Sequence, residues 1–119
     1  MQEKAAKRMN VDTFGDVTVV ELTDKKILDE ISIGQIGEQL APLVSRSDSP
    51  KLVVDFSSVN HMSSSALGML ITLHKRVREK GGQLRMCCIQ PAIYEVFVIT
   101  RLNEIFQILP SRSEALESF

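Results

Sequence analysis

The sequence predicts a small single-domain α/β protein, with a mixed, mostly parallel sheet, an antiparallel edge strand and helices packed against it. Three observations carry this. Short strand-like runs alternate with amphipathic helical patterns from Ser32 to the C-terminus, and that alternation implies parallel strands joined by right-handed crossovers. The run Lys51-Leu52-Val53-Val54-Asp55-Phe56 has an unbroken apolar centre, as expected of a strand buried on both faces. The 119 residues, 44% of them apolar, suffice for one compact core.

Residues 1–9 read as an N-terminal leader and 10–119 as the domain. Asn10–Phe14 and Val17–Leu22 are strand-like, and Gly15-Asp16 between them reads as a hairpin turn. Thr23 to Lys26 is a polar break, followed by the short apolar pair Ile27-Leu28. Ile33, Ile36, Leu40, Leu43 and Val44 recur at helical spacing, so Ser32–Val44 reads as a helix with Asp29 or Ser32 as its cap. Gly34, Gly37 and Pro42 weaken that helix, and Pro42 is expected to kink or shorten it. After the strand at Lys51–Phe56 comes a polar loop, Ser57 to Ser63, and then a broadly buried helix over Ser64–Lys80. Gly81-Gly82 is its stop signal. Leu84–Ile89 reads as a strand. Pro91–Thr100 reads as a helix with proline in its first turn. Ile105–Leu109 is a last strand and Arg112–Phe119 a last helix.

The charge balance excludes two function classes. Fourteen Lys and Arg against fifteen Asp and Glu leave a formal charge of −1. A nucleic-acid binder needs a basic stripe, and a peripheral membrane anchor needs a polybasic cluster. No apolar run approaches the roughly 20 residues of a membrane span, and Met1 to Asn10 lacks the apolar core of a secretory signal. The two cysteines, Cys87 and Cys88, are adjacent. Neighbouring side chains on a strand point to opposite faces, so they read as one core and one surface residue with no bridge between them. Their spacing offers no metal site. The expectation is a cytoplasmic protein without metal or cofactor, monomeric or weakly dimeric.

The segment Asp55 to Gly68 carries the chemistry. A buried strand delivers a loop, and the loop delivers Ser63, Ser64 and Ser65 to the start of a long helix. A helix N-terminus has unpaired N–H donors and a partial positive charge. Phosphate on a serine there adds roughly two negative charges at a place that tolerates an anion. Serines at a helix start also serve simply as caps. Asp55, His61 and Ser64 are the residue types of a hydrolytic triad, but no G-x-S-x-G elbow accompanies them and catalysis is not expected. Asp55 reads as a loop anchor or part of a partner surface. Met62 is a soft apolar side chain suited to an interface. His74 falls on the apolar stripe of its helix and reads as a partly buried histidine. Lys75, Arg76, Arg78, Glu79 and Lys80 read as a solvated face.

Met62-Ser63-Ser64-Ser65-Ala66-Leu67-Gly68 resembles the motif that opens a helix in the STAS family, which includes the bacterial anti-sigma factor antagonists. The helix stop at Gly81-Gly82, then Ile93-Tyr94-Glu95-Val96-Phe97, Leu102-Asn103 and Ile105–Leu109, fit the same family over Asn10–Phe119. Ser63 stands where the family has Asp, and Ala66 where it has Gly. The resemblance implies a phosphoacceptor at Ser64 and a partner surface including Asp55, Met62, Ser63 and Ser65. It implies a non-enzymatic antagonist that binds a GHKL-type anti-sigma factor serine kinase, releases a sigma factor, and is reset by a phosphatase. The family offers two other roles without a phosphorylation cycle: a stressosome-like scaffold, to which the replacement of the family Asp lends weight, and a transporter-associated domain.

Overall fold

A computed structural model describes residues 7–119. The element order is β1 (Met9–Phe14), β2 (Val17–Leu22), β3 (Lys26–Ile27), α1 (Glu30–Ser45), β4 (Lys51–Asp55), β5 (His61–Met62), α2 (Ser64–Glu79), β6 (Gln83–Cys87), α3 (Pro91–Ile99), a 3-10 turn (Leu102–Glu104), β7 (Gln107–Leu109) and α4 (Arg112–Glu117). Five strands form one sheet in the order β1-β2-β4-β6-β7. β1 runs antiparallel to β2, and every other pair is parallel. The predicted mixed sheet with an antiparallel edge is thus what forms. β3 and β5 pair separately as a two-residue parallel ribbon.

The alternation of β4 and β6 divides the core in two. Leu52 and Val54 of β4, with Leu84 and Met86 of β6, face one side and pack in a core with residues of α1, α2 and α3. Val53 and Cys87 face the other side, with Val17, Val19 and Ala115 of α4. Among the described residues, α4 is the helix that packs over β4, β6 and β7 on that second face.

Several boundaries differ from the sequence reading, each for a local reason. β1 begins at Met9, one residue before the expected strand, because Met9 is 3% exposed and belongs to the core. Arg8 is also held: its main-chain N–H donates to Gln39 Oε1, and its guanidinium donates to Gln35 and Asp24. Residues 1–6 of the expected leader lie outside the described residues. α1 starts at Glu30 because Asp29 caps it, its carboxylate accepting from the Ser32 N–H at 2.9 Å. Pro42 does not end α1, which continues to Ser45 with Leu43 and Val44 buried; their burial outweighs one missing hydrogen bond. The strand after α2 stops at Cys87, and the expected strand from Ile105 gives a shorter β7 because the 3-10 turn precedes it.

α2 stops as its glycines require. Gly81 has φ +70°, its N–H donates to Arg78 O, and the Gly82 N–H donates to Val77 O, both at 2.9 Å. This paired closure satisfies two orphan carbonyls. At Gly82 the chain also passes against Pro50: a Cβ there would lie 2.2 Å from the Pro50 carbonyl oxygen.

Candidate functional site

The serine loop is held by main-chain bonds before any side chain is considered. The N–H groups of Asn60 and His61 donate to Lys25 O, and the Ser63 N–H donates to Ile27 O. Phe56 and Val59, both fully buried, anchor the loop from below. The β3–β5 ribbon thereby fixes where α2 begins. Ser63 is the N-cap: its backbone is extended and its Oγ accepts from the Ala66 N–H at 3.2 Å. Ser64 and Ser65, the first two residues of α2, are exposed. The first turn of α2 contains no acidic side chain, so nothing there opposes an added anion.

Met62 and Ser63 are half-buried beside these serines. Next to them a cavity of about 220 Å³ is lined by Leu28, His61, Met62, Leu67, Ile93 and Val96, among others. Leu28 is 50% exposed and Val96 39%. The surface around Ser64 is therefore apolar on one side, with the positive end of a helix at its centre. A larger concavity, about 400 Å³ between α1 and α2, has none of the serine-loop residues in its walls.

The structure thus brings together Met62, Ser63, Ser64 and Ser65, but not Asp55. The expectation that Asp55 shares the exposed surface is corrected: it is only 4% exposed. Strand alternation explains this, since Val54 faces α1 and α2 and Asp55 therefore faces α4. Its Oδ1 accepts from the Ser57 N–H at 2.8 Å, and its Oδ2 accepts from Arg112 Nε and Nη2 at 3.1 and 2.9 Å. Burial pushes the Asp55 carboxyl up, but the Ser57 and Arg112 donors outweigh it and hold it below the ordinary carboxylate range. The loop-anchoring reading of Asp55 is the one the geometry supports. His61 is exposed, and the Asp55 oxygens are engaged by Ser57 and Arg112, so Asp55, His61 and Ser64 form no proton relay.

The sequence reading missed Arg112, the first residue of α4, because its partner lies 57 positions away. It also misplaced Cys88. Cys87 ends β6 fully buried, but Cys88 has left the strand with φ +60°. A left-handed conformation costs a non-glycine residue of order 1–3 kcal/mol. The only other non-glycine case among the described residues, Arg101, sits just past the end of α3, where such a turn is an ordinary helix stop. The turn at Cys88 brings its thiol back toward Cys87 instead of to the opposite face. Asp55 and Cys87 are direct neighbours in the β4–β6 register. The Cys87 and Cys88 sulfurs and a carboxylate oxygen of Asp55 all lie within 4.8 Å of one another.

Comparison with known proteins agrees with this architecture. The STAS domain family model matches residues 8–115. The chain belongs to the STAS domain family. Among its relatives is an anti-sigma F factor antagonist of Paenibacillus polymyxa, 24% identical over 100 residues that span 84% of each chain. The fold is shared with an anti-sigma-factor antagonist (STAS) domain protein from Planctomyces limnophilus, with TM-score 0.85, 23% identity, and coverage of 92% of this chain and 96% of that one. It is also shared with the phosphorylated form of the Bacillus cell fate determinant SpoIIAA, with TM-score 0.68, 14% identity, and coverage of 92% and 96%. No helix among the described residues of this STAS domain is long and apolar enough to cross a membrane.

Proposed function

We propose that this STAS domain is an anti-sigma factor antagonist that binds an anti-sigma factor serine kinase of the GHKL type through the surface around Ser64, and that phosphate on Ser64 ends the complex. The single observation that carries this reading is the division of labour between two serines. Ser63 is consumed as the cap of α2, and Ser64 is left exposed at the helix's positive end. An acceptor hydroxyl must reach a kinase active site, and a capping hydroxyl is already engaged. The apolar rim of Leu28, Met62 and Val96 supplies area for a protein partner. The name of the Paenibacillus relative and the phosphorylated state of SpoIIAA support the same reading.

The domain contributes a hydroxyl and a surface, and the chemistry belongs to the kinase. A phosphatase that removes the phosphate restores binding. The domain acts in the cytoplasm as a monomer or weak dimer. The phosphate is stabilised by the helix end by about 0.3–1 kcal/mol, so the fold changes little. An unpaired charge trapped in the partner interface costs several kcal/mol, and a loss of roughly 3 kcal/mol is on the order of a hundredfold in affinity. Ser64→Ala is expected to keep binding and to accept no phosphate. Ser64→Glu is expected to bind on the order of a hundredfold more weakly, with thermal stability nearly unchanged. The assay is incubation with the cognate kinase and ATP, followed by site mapping and titration. Phosphate found on Ser63 or Ser65 alone, or undiminished binding by Ser64→Glu, rejects the assignment.

A further inference from the structure

We infer that Cys87, Cys88 and Asp55 form a binding site for one soft divalent cation of the zinc and cadmium class, at the carboxyl ends of β4 and β6 beneath the first turn of α4. Residue spacing alone does not suggest this site, because the sheet register supplies the third ligand from another strand. Four observations support it. The three ligand atoms already lie within 4.8 Å of one another. Cys88 holds a backbone conformation that its residue type disfavours and that no helix end explains, and such outliers cluster at ligand clamps. Two thiolates are the soft donors that select this class of ion. The charges also close: two thiolates and a carboxylate beside one guanidinium leave two negative charges, which a divalent cation cancels.

The rival use of adjacent cysteines is a disulfide. Consecutive Cα atoms lie about 3.8 Å apart, below the roughly 4.4–6.8 Å that disulfides span. An ion bound at about 2.3 Å from each sulfur bridges the pair without forcing the sulfurs into a bond. Asp55 retains acceptor capacity beyond its three donors, since a carboxylate offers about four lone-pair positions. Entry is from the side of Cys88, which is half-buried, whereas Cys87 is closed off. Burial pushes the Cys87 thiol well above its ordinary value. Each cysteine binds the ion as its thiolate, any proton it carries passing to solvent, and both sulfur–metal bonds form without any redox change.

The test is titration of the reduced, metal-free full chain with cadmium. It is read by thiolate-to-cadmium charge-transfer absorption. One ion per chain is expected. Cys88→Gly removes a ligand and keeps the fold, because glycine adopts a positive φ freely, and it is expected to abolish the absorption. Asp55→Asn is expected to weaken binding at least tenfold; if it does not fold, Cys88→Gly still decides. No saturable absorption in the parent chain overturns the site. So does undiminished absorption in Cys88→Gly, or an ion shared between two chains. Air oxidation to a bond between Cys87 and Cys88 that goes to completion in the presence of cadmium also overturns it.

Discussion

Asp55 and Arg112 are not equivalent halves of their ion pair. Asp55 is 4% exposed, whereas the side chain of Arg112 keeps about a third of its surface in water, at 32%. Removing the guanidinium leaves a buried carboxylate with only the Ser57 amide to hold it, and an uncompensated buried charge is expensive. Neutralising the carboxylate leaves a cation that solvent reaches. Arg112→Ala is therefore expected to cost about 2–4 kcal/mol and Asp55→Asn about 1–2 kcal/mol, measured by chemical denaturation at neutral pH. The same pair sets an acid limit. The carboxyl of Asp55 is depressed in the folded state, so its contribution is fully present above the unfolded value of about 3.9 and is lost as pH falls below that toward the folded value. The stability difference between the parent chain and Asp55→Asn should vanish in that window. A gap that persists unchanged below it would show that the pair does not titrate.

At the scale of elements, caps and register decide what the serine loop presents. Ser63→Ala removes the side chain that accepts from Ala66 and should cost about 1 kcal/mol. Ser64→Ala, one residue along on an exposed position, should stay within about 0.5 kcal/mol. Equal costs for the two, measured by thermal unfolding, would mean that the capping role is misassigned. α2 and its stop were legible because each signal is local: apolar residues at 67, 70, 73 and 77, then two glycines. The β3–β5 ribbon was not legible. Two residues carry no period, and the pairing of Lys26 with His61 joins segments that only the fold brings together. The exposure of Ser64 at the start of α2 was therefore readable from sequence, while the ribbon that positions it was not.

For the molecule as a whole, the sheet has one deep face and one shallow one. The deep face, under α1, α2 and α3, follows from amphipathic periodicity and was foreseeable. On the shallow face α4 is, among the described residues, the one covering helix, six residues long, and single arginines hold its two ends. Arg112 bonds Asp55 at the start, and Arg85 donates to Ser118 Oγ at 2.8 Å near the end while stacking 4.6 Å over the Phe119 ring. Those contacts misled the reading of Asp55. A carboxylate at a strand end before a polar loop suggests solvent, and nothing local announces that a helix from the far end of the chain lies over it.

The close passage of Gly82 against Pro50 bears on how this gene is free to drift. Every amino-acid change reachable from a glycine codon by one base adds a Cβ, and here that atom meets a backbone oxygen at 2.2 Å, which no rotamer relieves. At Gly34 and Gly68 the same atom meets nothing within 4 Å. A saturation library selected for folded protein should therefore accept many residues at positions 34 and 68 and return almost nothing but glycine at 82. A broad spread of residues at 82 would mean that the Pro50 segment yields.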